Sequence, residues 1–259
     1  MNKRHRVQFP KNELSDSDQD ESYFYLHGTS KKRKIKFHDY DEIYQVPGLY
    51  EQIFYDRLKC ISPNKVTSIL ESAIKQSSDN FTELRVLDLG AGNGMMGEEL
   101  KKHGVSRLVG VDIIPEAYDA LIRDRPGVYD AYYVEDFCAL SEEKKEEIES
   151  WQCDCMVTVA ALGFGDIPTK AFVNAFNIIS NEGWVAFNIK DTFLDSSDET
   201  GFSKLIRELI FSKYLDVYHI ERYRHRLSVD GEPLHYFAVV GRKNAAISSE
   251  FIESKGIVF

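Results

Sequence analysis

The sequence predicts an α/β fold: a doubly wound, mostly parallel sheet of seven strands with helices on both faces and a C-terminal antiparallel hairpin. Five apolar runs alternate with amphipathic helical patterns, which is typical of parallel strands joined by crossover helices. Two later β-rich runs, 214–224 and 234–241, are joined through the turn residues Asp230 and Gly231 and predict the antiparallel pair. A glycine-rich turn, Gly90 to Gly94, directly follows the first apolar run.

The elements of this predicted sheet follow one another from residue 86. The parallel strands are expected at 86–89, 107–112, 131–134, 153–161 and 184–189. The helices between and after them are expected at 95–102, 115–124, 141–150, 168–180 and 202–211. Before the sheet, Ser62 as a cap and Pro63 as the first helical residue predict the start of another helix. A polar loop at 195–201 is a candidate lid.

Charge and apolar content divide the chain into four predicted parts. Blocks of basic and acidic residues alternate before residue 37, which predicts a mobile polar arm, although Tyr23 to Leu26 can add an edge strand or pack on the domain. The predicted parts are the arm at 1–36, a helical cap at 37–80, the core at 81–243 and a loose tail at 244–259.

The composition narrows the class of protein. The 259 residues carry a net charge of −10, which disfavours non-specific binding to nucleic acid and to anionic membranes. No apolar run reaches membrane-spanning length, and no signal peptide is recognised. Four cysteines without a C-x-x-C pair predict free thiols in a reducing cytoplasm, and no metal site is expected.

Two classes of cofactor fit the glycine-rich turn. Gly92, Gly94 and Gly97 match the dinucleotide fingerprint, and Asp112 follows Gly92 by 20 residues, where such a site keeps its ribose-binding acid. Asp88, directly before the glycines, argues against this class, because a carboxylate facing the site would repel a pyrophosphate. It would attract a ligand that carries an ammonium and a sulfonium.

The same stretch resembles motif I of the class I S-adenosylmethionine-dependent methyltransferases, in which an acidic residue and one apolar residue precede Gly-x-Gly-x-Gly. The matching residues are Asp88, Gly90, Gly92 and Gly94. The parallel sheet that ends in an antiparallel pair is also the topology of that Rossmann-like family. The resemblance implies that S-adenosyl-L-methionine is the cofactor and that the chain is a transferase.

The resemblance also implies a role for residues at the ends of the predicted strands. Asp112 would accept both ribose hydroxyls, Asp136 would accept from the adenine amino group, and Phe137 would lie beside the base. The tyrosine-rich segment before the core would supply Tyr40 and Tyr44 to the cofactor carboxylate. The full predicted cofactor-binding set is Asp88, Gly90, Ala91, Gly92, Gly94, Asp112, Ile113, Asp136, Phe137, Ala160, Tyr40 and Tyr44.

The sequence after the fourth strand limits the acceptor. Ala160-Ala161-Leu162-Gly163 carries neither the Asn/Asp-Pro-Pro-aromatic motif of enzymes that methylate amino groups of bases or glutamine nor the Pro-Cys nucleophile of cytosine-carbon enzymes. These two substrate classes are therefore disfavoured. The acidic charge and the compact size favour in-line methyl transfer to a small-molecule acceptor. The alternatives are a protein or RNA methyltransferase that uses the basic arm, and a non-catalytic cofactor-binding domain. No catalytic residue is assigned, and the candidate bases are His27, His38, His219, His225, His235 and Tyr40.

Overall fold

The computed structural model describes residues 4–10, 22–28, 31–162, 166–194 and 201–257. The strands in these ranges are β1 (Arg6–Gln8), β2 (Tyr23–His27), β3 (Lys32–Lys36), β4 (Arg85–Leu89), β5 (Arg107–Asp112), β6 (Ala131–Val134), β7 (Cys155–Thr158), β8 (Trp184–Lys190), β9 (Leu215–Leu227) and β10 (Pro233–Lys243). The α-helices are α1 (Tyr40–Tyr44), α2 (Ser62–Ile74), α3 (Met95–Lys102), α4 (Pro115–Asp124), α5 (Glu142–Glu149), α6 (Thr169–Ile178), α7 (Phe202–Phe211) and α8 (Ser249–Lys255). A π-helix, Glu51–Arg57, follows α1.

The larger sheet has seven strands in the order β6-β5-β4-β7-β8-β10-β9. The five strands from β6 to β8 are parallel, and β10 runs antiparallel to both β8 and β9. The chain moves outward from β4 to β5 and β6 and then returns to the other side of β4 at β7. Open α/β sheets bind ligands at such a switch point, beyond the carboxyl ends of the strands. The predicted fold class is confirmed.

Apolar side chains cover both faces of this sheet. On one face α6 places Phe172 and Phe176 in a core cluster that also includes residues of α5 and α7. On the other face α2 and α3 supply Leu70 and Leu100, both fully buried. Strands covered on both faces are buried along their whole length rather than in alternation, as in β7, where the polar Thr158 is also buried.

The N-terminal region differs from the predicted mobile arm. Its described residues form a three-stranded antiparallel sheet, β1-β2-β3, in which Phe24 and Ile35 are fully buried. These two side chains pack in one cluster with Phe37 and Ile53 of the predicted cap. The stretch from Tyr23 to Leu26 forms a strand, as one of the sequence alternatives had it, whereas Ile35 stands singly between Lys34 and Lys36, so the basic block hid β3. The acidic block 16–21 lies outside the described residues, and the four-part division of the chain stays a prediction.

The predicted loose tail is also corrected. Residues 249–255 form α8, capped by the Ser248 side chain, which accepts from the amide of Phe251. Ile247, Ile252 and Ile257 are buried in the same core cluster as α6 and α7. Their spacing of five residues fits neither a strand nor a helix face, which is why the pattern was not predictive.

None of the helices within the described ranges has the length and apolar character needed to cross a bilayer. The cytoplasmic location stays a prediction. Residues 195–200 of the candidate lid at 195–201 lie outside the described residues. The same is true of residues 163–165 in the turn after β7.

Candidate cofactor site

A cavity of about 300 Å³ lies beyond the carboxyl ends of β4, β5, β6 and β7. Ten of the twelve predicted cofactor-binding residues line it: Tyr40, Tyr44, Gly90, Ala91, Gly92, Asp112, Ile113, Asp136, Phe137 and Ala160. The segment from α1 to the π-helix forms the opposite wall with further tyrosines. The topology thus brings together residues that are up to 120 positions apart in the chain.

The glycine-rich turn presents bare backbone to this cavity. Gly92 has a φ of +54°, and a Cβ atom built on it would lie 2.5 Å from the hydroxyl oxygen of Tyr44. A side chain larger than hydrogen at this position requires the Tyr44 hydroxyl to move. Close approach of a ligand to the main chain is the ordinary reason for a glycine at such a place.

Asp112, at the end of β5, holds the glycine-rich turn through hydrogen bonds of its carboxylate. Its Oδ2 accepts from the amide of Gly92 at 2.8 Å, and its Oδ1 accepts from the amide of Ile114 at 3.0 Å. Burial raises the pKa of this carboxyl group, while the two amides oppose the rise. Each carboxylate oxygen has more than one acceptor site, so Asp112 can hold the turn and still accept from a vicinal diol.

The loop after β6 contributes Asp136 and Phe137 to the wall. Asp136 Oδ1 accepts from the amide of Cys138 at 2.8 Å, and the amide group of Asn174 donates to the Phe137 carbonyl at 2.6 Å. Phe137 is only 3% exposed and belongs to the core cluster. This loop is therefore held by a hydrogen bond within it and by one from α6. The Asp136 carboxylate is at the exposed edge of the cavity, and the Phe137 ring is buried.

Two predicted residues lie outside the cavity wall, and this corrects part of the sequence argument. Asp88 is 1% exposed and accepts from the Tyr129 hydroxyl at 2.6 Å, so its carboxyl group does not face the ligand space. Gly94 begins α3 with left-handed backbone, and a Cβ there would meet Leu121 at 2.7 Å. Because β4 is buried on both faces, its residue pattern does not reveal which side chains point toward the cavity.

Asp88 makes stability depend on pH in a direction that can be tested. Burial raises its pKa to about 7, against about 3.9 in an unfolded chain. Between these values the folded protein holds one more proton than the unfolded chain, so the Asp88 contribution to the free energy of unfolding falls by about 1.4 kcal/mol per pH unit. Asp88→Asn removes this titration and keeps an acceptor for Tyr129. We expect denaturant titrations to show the variant gaining stability relative to wild type from about pH 4 to pH 7 and then levelling off. A difference that stays constant with pH would contradict the assignment.

Four tyrosines line the cavity, and the sequence predicted two of them. Besides Tyr40 and Tyr44, the wall includes Tyr50 and Tyr55. Burial raises the pKa of all four phenols well above the ordinary value, so their hydroxyls stay protonated and can donate. The aromatic run from residue 40 to residue 55 was the signal for the two that were missed.

Buried oxygen atoms without a hydrogen-bond donor among the described residues lie beside the cavity, and they bear on whether a cationic ligand fits it. Asn93 lines the wall and is 2% exposed, and its Oδ1 has no hydrogen-bond partner among the described residues. Its Nδ2 donates to Glu51 Oε1 at 2.8 Å, while Glu51 Oε2 is also unpartnered there. Buried acceptors without donors are costly. They fit a ligand that brings an ammonium group, as S-adenosylmethionine does.

One of the six candidate bases stands out by its partner. His38 lines the cavity, and its Nδ1 lies 2.9 Å from Asp166 Oδ2 across 128 positions of sequence. His27 and His219 contact Gln8 and Glu221 at the surface. His225 is buried against Ser62, and burial lowers its pKa well below the ordinary value. Tyr40 lies in the cavity wall, whereas His235 is not among the described residues that line the cavity.

The cavity continues into a smaller pocket of about 30 Å³. The two spaces share His38, Tyr40, Tyr50, Ala160 and Asp166 in their walls. The remaining walls of this acceptor pocket, as we name it, are Phe37, Phe54, Cys60, Leu162, His225, Arg226 and Tyr236. The segment before α2 and the terminal hairpin thus meet here.

A family model described as a methyltransferase domain matches residues 64–230, which is more than half of the chain. The chain belongs to this methyltransferase family. The predicted S-adenosylmethionine-dependent methyltransferase class and its cofactor are confirmed.

Individual relatives of this methyltransferase are distant. Protein arginine N-methyltransferase 1 of Saccharomyces cerevisiae is 30% identical over 84 residues, which are 32% of this chain and 21% of that protein. The match thus spans about a fifth of the curated relative. The N-methyltransferase NodS of Bradyrhizobium japonicum, crystallised with S-adenosyl-L-homocysteine, has a TM-score of 0.53 and 13% identity over 80% of this chain and 97% of that chain. A protein of Thermoplasma acidophilum has a TM-score of 0.50 and 17% identity over 78% and 97%. At these identities the solved structures show the fold alone.

Proposed function

We propose that this methyltransferase moves the methyl group of S-adenosylmethionine to a small-molecule acceptor. The observation that carries the proposal is the acceptor pocket, which is walled by buried side chains instead of opening as a groove. His225, Arg226 and Tyr236 in its walls are each at most 6% exposed. A space of about 30 Å³ takes a group of a few heavy atoms and not a length of protein or RNA.

The cofactor would be held by residues already in the wall. Gly90 to Gly92 and Asp112 line the ligand space, and the four tyrosines line the same cavity. The unpaired Asn93 Oδ1 would accept from the ammonium group. When bound, the cofactor supplies a methyl carbon attached to a positively charged sulfur, which leaves as a neutral thioether.

His38 would take the proton that the acceptor loses. With Nδ1 donating to Asp166, Nε2 carries the lone pair that accepts a proton. The acceptor heteroatom forms the new bond to carbon, and its proton passes to Nε2. Asp166 then stabilises the imidazolium that results, in the way that a carboxylate orients a catalytic histidine.

The basic N-terminal residues offer less support for a protein or RNA acceptor. Lys32 and Lys34 lie over the rings of Tyr25 and Tyr23, with the amino groups 3.4 and 3.8 Å from the ring centroids. These cations are part of the small sheet itself. The match to an arginine methyltransferase covers too little of either chain to name the acceptor.

A transfer assay with labelled cofactor tests the proposal. Wild-type protein is incubated with methyl-labelled S-adenosylmethionine and a cell extract that is separated into small molecules, protein and RNA. We expect the label in the small-molecule fraction, and we expect His38→Asn to slow its transfer by about 10²- to 10⁴-fold, the range for loss of a general base. His219→Asn, at an exposed histidine, is the matched control and should transfer at the wild-type rate. Label in protein or RNA alone would overturn the small-molecule acceptor.

A further inference from the structure

We infer that the acceptor carries an anionic group, of the size of a carboxylate, which enters the acceptor pocket and binds Arg226. The inference rests on the proposed function, because it describes the ligand that shares the cavity with the cofactor. It adds a specificity-determining residue and a chemical class for the substrate.

Arg226 is a buried cation with few partners. The residue is 6% exposed and lies in the wall of the acceptor pocket. A guanidinium group has five N–H donors. Among the described residues, the Arg226 guanidinium makes one hydrogen bond, from Nη1 to the Leu227 carbonyl at 2.9 Å. Its central carbon lies 5.8 Å from the centroid of the Phe37 ring. No carboxylate in the described part of the chain forms an ion pair with it.

Two other cations in this protein have their charge satisfied by protein groups. The half-buried Arg125 pairs with two carboxylates, Glu51 at 2.7 Å and Glu98 at 2.8 Å. Lys243, which is 2% exposed, donates to two main-chain carbonyls. A guanidinium is ordinarily buried with a counter-ion, because a buried charge without one is strongly unfavourable. Among the described residues Arg226 has no carboxylate partner and donates to one carbonyl, which favours a ligand that supplies the negative charge.

One acid, Asp166, lines both spaces, and its carboxylate accepts from Nδ1 of His38. This hydrogen bond orients the acid toward the histidine but does not cancel its charge while the imidazole is neutral, so an anionic group has to lie nearer to Arg226 than to Asp166. The pocket presents a positive group at one wall and an oriented histidine at another, and Ala160 lines both spaces. An anionic group held by Arg226 would direct the rest of the acceptor past His38 toward the cofactor.

The other walls favour a flat body behind the anionic group. The acceptor pocket takes the anionic group alone, so the body would lie where the pocket meets the larger cavity, and Tyr40 and Tyr50 line both spaces there. Aromatic walls pack well against planar ligands and supply little polarity besides the phenol groups. A small aromatic carboxylate combines both features, so benzoate is a suitable probe, and benzamide is its uncharged counterpart of the same shape.

Calorimetry with these two probes and S-adenosylhomocysteine tests the inference. For wild type we expect benzoate to bind at least about tenfold more tightly than benzamide, as expected for a charge-assisted hydrogen bond. Arg226→Gln should remove this preference. Arg224→Gln, two positions away on the same strand with an exposed side chain, is the matched control and should keep it.

The outcomes separate this inference from the proposed function. Equal affinity for the two probes, no binding of benzoate, or an unchanged preference in Arg226→Gln would overturn the anionic subsite while S-adenosylhomocysteine still binds. Failure of S-adenosylhomocysteine to bind wild type would instead overturn the proposed function. If Arg226→Gln does not fold, the wild-type comparison and Arg226→Lys, which keeps the charge and should keep the preference, decide the question.

Discussion

Gly92→Val should abolish binding of S-adenosylhomocysteine. The added Cβ would lie 2.5 Å from the Tyr44 hydroxyl oxygen, and valine is a β-branched residue that rarely adopts a φ of +54°. Relief of the clash requires the Tyr44 ring to move or the turn to change shape, and either change alters the wall of the cavity, which both residues line. Calorimetry on the folded variant should detect no binding under conditions that saturate wild type.

Gly127→Val separates this local clash from the general cost of a left-handed valine. Gly127 has a φ of +77°, no atom lies within 4 Å of a Cβ built there, and the residue is exposed outside the cavity. This variant should lose stability and keep its affinity for S-adenosylhomocysteine. Normal binding by Gly92→Val would mean that the turn does not touch the ligand.

Asp112→Ala should weaken S-adenosylhomocysteine binding by about 1.5–3 kcal/mol, the range for a hydrogen bond to a charged group. This corresponds to roughly a tenfold to 150-fold loss of affinity. The substitution removes the proposed acceptor for the ribose hydroxyls. It also frees the amides of Gly92 and Ile114, which the carboxylate holds at 2.8 and 3.0 Å.

Asp112→Asn distinguishes these two effects. It has the shape of the original side chain and keeps one acceptor oxygen, which can still accept from the amide of Gly92, whereas the new NH2 group faces the amide of Ile114 and cannot accept from it. We expect both the affinity and the thermal stability to lie between those of wild type and Asp112→Ala. Unchanged affinity in a folded Asp112→Ala protein would remove the assignment.

The sequence predicted most of the core because its signals are local. The glycine turn and three helices, α3, α4 and α7, were expected at their observed bounds, since caps, turn residues and apolar spacing lie within each element. The start of α2 was predicted one residue too late: Ile61 is at the cap position and Ser62 is the first helical residue. The Ser62 hydroxyl contacts Tyr223 and His225 instead of capping the helix. Strand ends identified Asp112 and Asp136 as residues that reach the rim of the sheet.

The parts that were missed depend on distant partners. The pairing of His38 with Asp166 joins residues 128 positions apart, and no spacing rule connects them. The direction of Asp88 is set by Tyr129, which lies beyond α4. Arg226 could be recognised as unpaired only after its neighbours were known. Tertiary contacts of this kind decide what a buried polar residue does, and they leave no periodic pattern in the chain.

The join between the segment before α2 and the terminal hairpin bears on how the substrate range of this protein can evolve. Backbone hydrogen bonds run from Ile61 to the His225 carbonyl and from Leu227 to the Leu58 carbonyl, so these distant segments form one structural unit around the acceptor pocket. The glycine turn and Asp112 belong to neither segment. If the acceptor pocket binds the substrate as proposed, substitutions in the two joined segments would change its walls while the glycine turn and Asp112 stay as they are.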